Sequence, residues 1–141
     1  MGGDVTLLQR RLAVARGDGP ADVVIRGGRV LSMFTDELLD ADVAIAGEHV
    51  AGVGQYESGV EVVDASGLVL VPGFVDAHMH LESTKLMIDQ FARAVLPKGT
   101  TTVVLDPHEI ANVFGLKGVR ELVGEAHRVP LDSFVMVPSC V

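Results

Sequence analysis

The chain is short of the residues that several classes of protein need. A single cysteine among 141 residues excludes a disulfide within the chain and favours a reducing compartment, so we expect a cytoplasmic protein. The chain has 11 Lys and Arg against 19 Asp and Glu, and this scattered minority of basic residues argues against a nucleic-acid partner. No apolar run approaches the ~18 residues of a membrane span. We also expect no signal peptide and no glycine-rich phosphate loop.

What the chain does have is a pair of histidines at the end of an apolar stretch. Residues 68–75 predict one strand, which runs into His78 and His80. Side chains i and i+2 of an extended chain point to the same face, so both imidazoles can reach one point in space. Imidazole is a strong ligand for zinc, iron and manganese. The pair therefore predicts a metal site. The alternative is that the histidines have structural roles, in a core or on the surface.

Two further apolar strands end in polar clusters. We predict strands over residues 100–105 and 133–137, with helices over residues 85–96 and 113–127 between the strands. Apolar strands that alternate with helices predict a parallel sheet covered on both faces. The carboxyl ends of parallel strands share one edge, where ligands and catalytic groups gather. The side chains expected at that edge are His78, His80, Asp106, His108, Glu109, Ser139 and Cys140.

The carboxylates near the histidines are candidates for proton transfer and for ligand support. Glu82 and Glu109 are well placed to act as general acid and base. Asp76 shares a strand face with His78 and could hydrogen-bond a ligand histidine, or it could be a polar strand residue with no such role.

The remaining polar residues of the edge allow fewer conclusions. Asp106 and His108 could orient substrate, hold a further metal or anchor the loop. Ser139 and Cys140 have no base beside them in the sequence. We therefore expect no nucleophile at that third strand end.

The residues before the histidine strand predict a smaller, β-rich domain. Residues 5–16 have the apolar spacing of a helix that stops at Gly17. Gly27 and Gly28 predict a hairpin turn between strands at residues 22–26 and 29–32. Further strands are predicted at residues 42–46, 49–53 and 60–63. Short strands with tight turns indicate a small sandwich or partial barrel.

Several stretches resemble known enzymes. Residues 73–80 (Gly-Phe-Val-Asp-Ala-His-Met-His) resemble the first-strand signature of the amidohydrolase superfamily, whose members hydrolyse C–N and related bonds with one or two metals in a (β/α)8 barrel. Residues 80–86, 91–104 and 106–115 are similar to the adenine deaminase family of bacteria and archaea. The run Asp-Pro-His-Glu-Ile-Ala-Asn is far more specific than His-x-His. The resemblance covers nearly all of the chain after about Ala21.

The resemblance implies a metal-dependent aminohydrolase of purine salvage that converts adenine to hypoxanthine and ammonia. The metal would be manganese or iron, with zinc as a further candidate, and the partner would be a small-molecule purine base. The complete protein would be a homo-oligomer that binds neither nucleic acid nor membrane. The roles implied are metal binding by His78 and His80, catalysis by Glu82 and Glu109, and substrate binding or ligand support by Asp76, Asp106 and His108.

The fold implied is α/β, and the chain is too short for all of it. A (β/α)8 barrel needs about 250 residues, and only about three barrel strands can be counted in 141 residues. We therefore expect an N-terminal fragment, inactive alone, with a helix and linker (1–20), a partial β-rich domain (21–70) and the start of an incomplete barrel (71–141). The apolar share of 48% agrees with surface that packs against missing elements. Two alternatives stay open: an amidohydrolase that acts on cyclic amides, and a non-catalytic metal-binding fragment.

Overall fold

The chain divides into two structural units, Met1–Val71 and Pro72–Val141. The computed structural model describes residues 2–138, with side chains from residue 5 onward. Ser139 and Cys140, the polar residues predicted to follow the third strand, lie outside the described residues. No helix within residues 2–138 is long and apolar enough to cross a membrane.

The first unit is built on two small sheets. The elements in chain order are α1 (Gly2–Arg16), β1 (Ala21–Arg26), β2 (Arg29–Leu31), β3 (Leu38–Asp40), β4 (Asp42–Ala46), β5 (His49–Gly54), β6 (Gly59–Asp64) and β7 (Val69–Leu70). A four-stranded sheet has the order β5-β4-β1-β6, and a three-stranded sheet has the order β3-β2-β7. The predicted hairpin of β4 and β5 is confirmed as an antiparallel pair, and β6 runs parallel to β1.

The hairpin predicted around Gly27 and Gly28 is wrong. Strand β1 pairs with β4 and β6, whereas β2 pairs with β3 and β7. Both edges of β1 are thus filled by other strands, and the glycines carry the chain from one sheet to the other. Gly27 has a φ of +80°, and a Cβ on Gly28 would lie 3.1 Å from the carbonyl oxygen of Ala65. Glycine is needed here for a close backbone crossing as well as for the turn.

An ion pair ties α1 to the four-stranded sheet. The two terminal guanidinium nitrogens of Arg10, Nη1 and Nη2, donate to the carboxylate of Asp22, the first of them over 3.0 Å. The backbone N–H of Gly47, in the β4–β5 turn, donates to the same carboxylate over 2.7 Å. Together these hydrogen bonds, with that of Arg10 the stronger influence, lower the pKa of Asp22 from 3.8 to about 2. Behind this contact the first unit buries its core residues Val14, Ala21, Val24, Ala44 and Ala46.

We expect the first unit to lose stability as the pH falls from about 4 towards 2. The folded-state pKa of Asp22 is about 2, below its ordinary 3.8. The carboxylate therefore stabilises the fold above pH 3.8, and this contribution disappears as the pH falls through about 2. Because both side chains are partly exposed, the effect should be small and weakened by salt.

Thermal melts followed by circular dichroism between pH 2 and pH 5 would measure this effect. Asp22→Asn should flatten the dependence of Tm on pH, whereas Asp40→Asn, which removes an exposed strand carboxylate of the same unit, should not. An unchanged profile in Asp22→Asn would contradict the assignment.

The second unit contains the predicted parallel sheet. The elements are β8 (Phe74–Met79), a 3-10 helix (Glu82–Thr84), α2 (Ile88–Val95), a second 3-10 helix (Leu96–Lys98), β9 (Thr100–Leu105), α3 (His108–Ala126) and β10 (Asp132–Val135). The strands are ordered β10-β9-β8, and both pairings are parallel, which confirms the α/β prediction. Helices cover the face that buries Val103 and Leu105 of the central strand.

The single strand predicted over residues 68–75 is wrong. Val69–Leu70 is a strand of the first unit, and β8 begins only at Phe74. Pro72, which lacks an N–H, interrupts the pairing. A Cβ on Gly73 would lie 2.1 Å from the Thr101 hydroxyl oxygen, so the chain enters the parallel sheet at a distance that only glycine tolerates.

Both predicted barrel helices differ from those observed. The first starts at Ile88 instead of residue 85, because Lys85 is left-handed with a φ of 60° and Met87 is extended. The second starts at His108, five residues earlier than its apolar spacing predicts, directly after Pro107. As a result, His108 and Glu109 belong to the first turn of α3 rather than to a loop.

Helix α3 is interrupted at Gly115. This residue has a φ of 60° and a ψ of −154°, which no helix contains. The helix therefore consists of a short segment, residues 108–114, and a longer one, residues 116–126. The longer segment contributes Leu122 and Ala126 to the core. The short segment, which carries His108 and Glu109, packs against the same core through Ile110.

We expect Gly115→Ala to destabilise the second unit by about 1–3 kcal/mol, because this backbone region is almost restricted to glycine. Gly124→Ala is the matched control. It lies in the same helix, where an added Cβ meets nothing within 4 Å, and it should stabilise by about 0.5–1 kcal/mol. Chemical denaturation of both variants measures the difference. Equal effects would mean that the interruption is absent in solution.

Candidate metal centre

The candidate site lies where β8 and β9 end side by side. The backbone N–H of Asp106 donates to the carbonyl oxygen of Met79 over 2.9 Å. This bond continues the parallel pairing, in which Met79 is opposite Leu105. His80 and Asp106, the first residues beyond the two strands, are thereby brought together. The prediction that the strand ends share one edge is confirmed for these two strands.

The orientation of the His80 ring is set by a backbone hydrogen bond. Its Nδ1 lies 2.9 Å from the carbonyl oxygen of Asp106. A carbonyl can only accept, so we assign the proton of the neutral imidazole to Nδ1. The lone pair of Nε2 is then free for a metal, as in many histidine ligands whose other nitrogen donates to a carbonyl.

His80 lies between two other histidines. Its ring centroid is 5.0 Å from that of His78 and 4.6 Å from that of His108, edge to face in both cases. The described residues contain two groups of three whose ligand atoms all lie within 4.8 Å of one another. His78 is exposed, while the other members are half-buried. The two groups are His78, His80 and Asp106, and His80, His108 and Glu109.

Two buried polar atoms beside the histidines fit a cation. Asp106 Oδ1 and His108 Nδ1 have no hydrogen-bond partner within the described residues. His108 Nδ1 is 3.6 Å from Asp106 Oδ2, which is too long for a hydrogen bond. A buried polar atom without a partner costs about 1–3 kcal/mol. Carboxylate oxygen and imidazole nitrogen are ligands for divalent metals, so an ion here would remove this cost.

The 3-10 helix after β8 holds the first turn of α3. Glu82 Oε1 accepts a hydrogen bond from the backbone N–H of Ile110 over 3.0 Å. This bond satisfies one of the free N–H groups at the start of a helix and places a negative charge at its positive end. The Ser83 hydroxyl donates to Glu109 Oε1 over 2.8 Å. Ser83 therefore fixes the position of the Glu109 carboxylate through Oε1, and Oε2 is left to bind a metal or to exchange a proton.

The structure divides the predicted site residues into those that belong to a group of candidate ligands and those that do not. His78, His80, Asp106, His108 and Glu109 come together in the two ligand groups. The carboxylate of Glu82 belongs to neither group, and its Oε2 is buried without a partner among the described residues.

Asp76 and Ser83 contact residues of the two ligand groups without belonging to either group. Asp76 accepts a hydrogen bond from the backbone N–H of His78 over 3.2 Å, so its contact is with the main chain and not with a ring. Sequence reasoning missed Ser83, since nothing in the spacing of Ser83 and Glu109 along the chain indicates that they meet.

Comparisons with known proteins show which family the second unit resembles. Residues 69–141 match the amidohydrolase family. An adenine deaminase of Moorella thermoacetica is 52% identical over 134 residues, covering 92% of this chain and 22% of the relative. One of Listeria monocytogenes is 47% identical, covering 95% of this chain and 23% of the relative. The chain thus spans about a quarter of the length of these relatives.

Two solved structures share the fold. An atrazine chlorohydrolase of Arthrobacter aurescens aligns with a TM-score of 0.64 at 21% identity, covering 82% of this chain and 35% of that enzyme. An N-acyl-D-glutamate deacylase of Bordetella bronchiseptica, complexed with zinc, aligns with a TM-score of 0.51 at 26% identity. That alignment covers 62% of this chain and 19% of the deacylase.

We expect Glu82→Ala to destabilise the second unit by about 0.5–2 kcal/mol, because it removes a side-chain cap from α3. Glu82→Gln keeps an acceptor oxygen and should lose less. Glu121→Ala, an exposed site on the same helix, should change the stability by less than about 0.5 kcal/mol. Denaturation curves of the three variants test the cap. A loss in Glu82→Ala no larger than that in Glu121→Ala would show that the bond to Ile110 contributes nothing.

Proposed function

Because the chain belongs to the amidohydrolase family, we propose that the protein is a metal-dependent hydrolase that converts adenine to hypoxanthine and ammonia. The observation that carries this proposal is the arrangement of the run that starts at Asp106. The run is the segment most specific to adenine deaminases in the sequence, and it brings Asp106, His108 and Glu109 against His80 at one sheet edge. The adenine deaminase relatives support the choice of substrate.

His78 and His80 would hold the metal, with manganese or iron as first candidates and zinc as a third. The free Nε2 of His80 and the unpartnered oxygen of Asp106 fit such an ion. When bound, a divalent metal supplies a Lewis acid that lowers the pKa of coordinated water from 15.7 towards ~7. The zinc in the related deacylase supports a metal in this fold.

Glu109 is our first candidate for moving the proton. Deamination adds the oxygen of water to C6 of adenine and breaks the bond from C6 to the exocyclic nitrogen. One proton of the water must reach that nitrogen so that it leaves as ammonia, and the other proton ends on N1 of hypoxanthine. The hydroxyl of Ser83 occupies one oxygen of Glu109, and the other can accept and return this proton. Glu82 remains a candidate for the same role through its free Oε2.

The other polar residues would support these groups. We assign to Asp106 the orientation of His80 through its carbonyl oxygen, and to His108 a contact with the purine or with an ion. Asp76 would steady the backbone at His78. None of these three needs to exchange a proton with substrate.

We further propose a cytoplasmic protein of purine salvage that acts as a homo-oligomer. The single cysteine supports a reducing compartment. Self-association is supported by β6, an edge strand of the four-stranded sheet whose Val60 is 82% exposed. Exposed apolar edges favour pairing with another chain. The net charge of −8 argues against a nucleic-acid partner, because binding to phosphates requires an excess of basic side chains.

A hybrid enzyme would test the activity. The 134 matched residues of the Moorella thermoacetica relative are replaced by those of this chain, and ammonia release from adenine is measured with manganese present. We expect turnover, and we expect His78→Ala or His80→Ala to reduce kcat/KM by at least about 100-fold, because loss of a ligand should exceed the 10–100-fold cost of a lost supporting contact. His127→Ala, at the exposed end of α3, should leave turnover unchanged.

The same assay separates the alternatives. Turnover of cyclic amides with none of adenine would replace the proposed substrate by the second candidate. A folded, metal-loaded hybrid that hydrolyses neither would support the non-catalytic alternative. The 141-residue chain assayed alone should release no ammonia, since its residues 2–138 form only three of the parallel strands and catalysis requires a fully positioned set of groups.

A further inference from the structure

The hydroxyl of Ser83 donates a hydrogen bond to Glu109 Oε1 over 2.8 Å. We propose that Ser83 is a positioning residue for deamination: by holding Oε1, it makes Oε2 of Glu109 the oxygen that takes and returns the proton. The inference rests on the proposed role of Glu109 in the reaction. It goes beyond that role by assigning a function to Ser83, which orients another side chain rather than touching the substrate.

A glutamate carboxylate needs a contact from outside to keep one orientation. Its last torsion, χ3, has a broad and roughly two-fold energy profile, so the two oxygens exchange places easily. Glutamate is also among the side chains that lose the most rotamer entropy when they are ordered. A hydrogen bond to one oxygen selects one orientation and reduces the entropy that must be lost when a substrate binds. The hydroxyl of Ser83 provides this bond to Glu109.

The same hydrogen bond favours one oxygen of Glu109 as the site of the proton. A protonated carboxyl group carries its hydrogen on one oxygen, and the other oxygen remains an acceptor. Because Oε1 accepts from Ser83, the proton is favoured at Oε2. Glu109 would take one proton from the attacking water there as the bond from C6 to oxygen forms. It would pass that proton to the exocyclic nitrogen as the bond from C6 to nitrogen breaks, so the carboxylate is unchanged at the end.

The backbone at Ser83 is fixed by the turn in which it lies. Ser83 is the middle residue of the 3-10 helix Glu82–Thr84. The hydroxyl of Thr84 donates to the carbonyl oxygen of Leu81 over 2.6 Å, which closes this turn. Lys85, directly after the turn, has a φ of 60° although it is not glycine. Strain of this kind persists only where surrounding contacts enforce the backbone shape, and it occurs most often at functional sites.

The backbone at Glu109 is fixed by a second contact from the same turn. Glu82 Oε1 accepts a hydrogen bond from the backbone N–H of Ile110 over 3.0 Å. Two successive residues of the 3-10 helix therefore hold two successive residues of α3. Ser83 is exposed, so water competes for its hydroxyl, and the fixed backbones on both sides favour the contact with Glu109. Supporting contacts of this kind keep a catalytic group within about 0.5 Å of its productive position.

Steady-state kinetics of the hybrid with the Moorella thermoacetica relative test the inference. We expect Ser83→Ala to reduce kcat for adenine by about 10-fold or more and to change KM by less than about 2-fold, since a misplacement of ~1 Å costs up to about 100-fold. Ser83→Thr keeps the hydroxyl and should restore most of the lost kcat. Ser133→Ala is the matched control. It removes a hydroxyl of β10 that donates to the carbonyl oxygen of Leu131 over 3.1 Å, and it should leave kcat unchanged.

A double-mutant cycle separates a positioning role from a structural one. Glu109→Gln removes the proton carrier and keeps the shape of the side chain. If Ser83 acts through Glu109, Ser83→Ala should reduce kcat by less than about 2-fold in the Glu109→Gln background, because residues that act as a unit are not additive. A general structural defect would reduce kcat by the same factor in both backgrounds. Equal factors would therefore overturn the inference.

Carbon-13 NMR of the 141-residue chain measures the contact without turnover. With the side-chain carboxyl carbons of glutamate labelled, the signal that is missing in Glu109→Gln identifies Glu109. This signal should move in Ser83→Ala and return towards its original position in Ser83→Thr, because a charged carboxylate forms a strong hydrogen bond with a hydroxyl. Circular dichroism checks that each variant is folded, and Ser83→Cys, a weak donor, replaces Ser83→Ala if it is not. A signal that does not move would refute the contact.

The outcomes distinguish this inference from the proposed function. Adenine turnover in the hybrid with an unchanged kcat in Ser83→Ala refutes the role of Ser83 and leaves the proposed function standing. Undiminished turnover in Glu109→Gln assigns the proton transfer to another group, such as Glu82, and also refutes the inference. If the unchanged hybrid releases no ammonia from adenine, both the proposed function and the inference are refuted.

Discussion

The arrangement of the site depends on the pairing of the last residues of β8 and β9. The hydrogen bonds from Asp106 N–H to Met79 and from His80 to the Asp106 carbonyl join the two strand ends on both sides of Asp106. A slip of one residue in this parallel pair would turn every following side chain to the opposite face. His80 would then point into the helix-covered core. Register, more than any single side chain, decides whether the histidines can share an ion.

The second requirement is that α3 begins where it does. Its first turn carries His108 and Glu109, and two bonds from the 3-10 helix after β8 fix that turn: Glu82 to Ile110, and Ser83 to Glu109. The interruption at Gly115 separates this turn from the longer segment of the helix. Because Ile110 of the turn also packs against the core, core packing and the polar contacts set the direction of the turn together.

The sequence predicts the parallel sheet and most of the site because both depend on local patterns. The β-branched, uncharged run Thr100–Leu105 is a strand over its full predicted length, and its end places Asp106 by strand geometry alone. The crossing at Gly27 and the role of Glu82 depend instead on segments far apart in the chain. A Gly-Gly pair between two strands has the same local sequence pattern whether the strands pair with each other or belong to different sheets. Only the competition of β4 and β6 for the edges of β1 decides the outcome.

The metal would contribute to the fold of this edge as well as to the chemistry. Asp106 Oδ1 and His108 Nδ1 are buried without partners among the described residues, at a cost of about 1–3 kcal/mol each. Binding of an ion would recover that cost, and part of the binding free energy would then appear as folding free energy of the edge. A bound ion, the strand ends and the first turn of α3 would therefore be coupled, so that order at this edge and affinity for the ion would rise together.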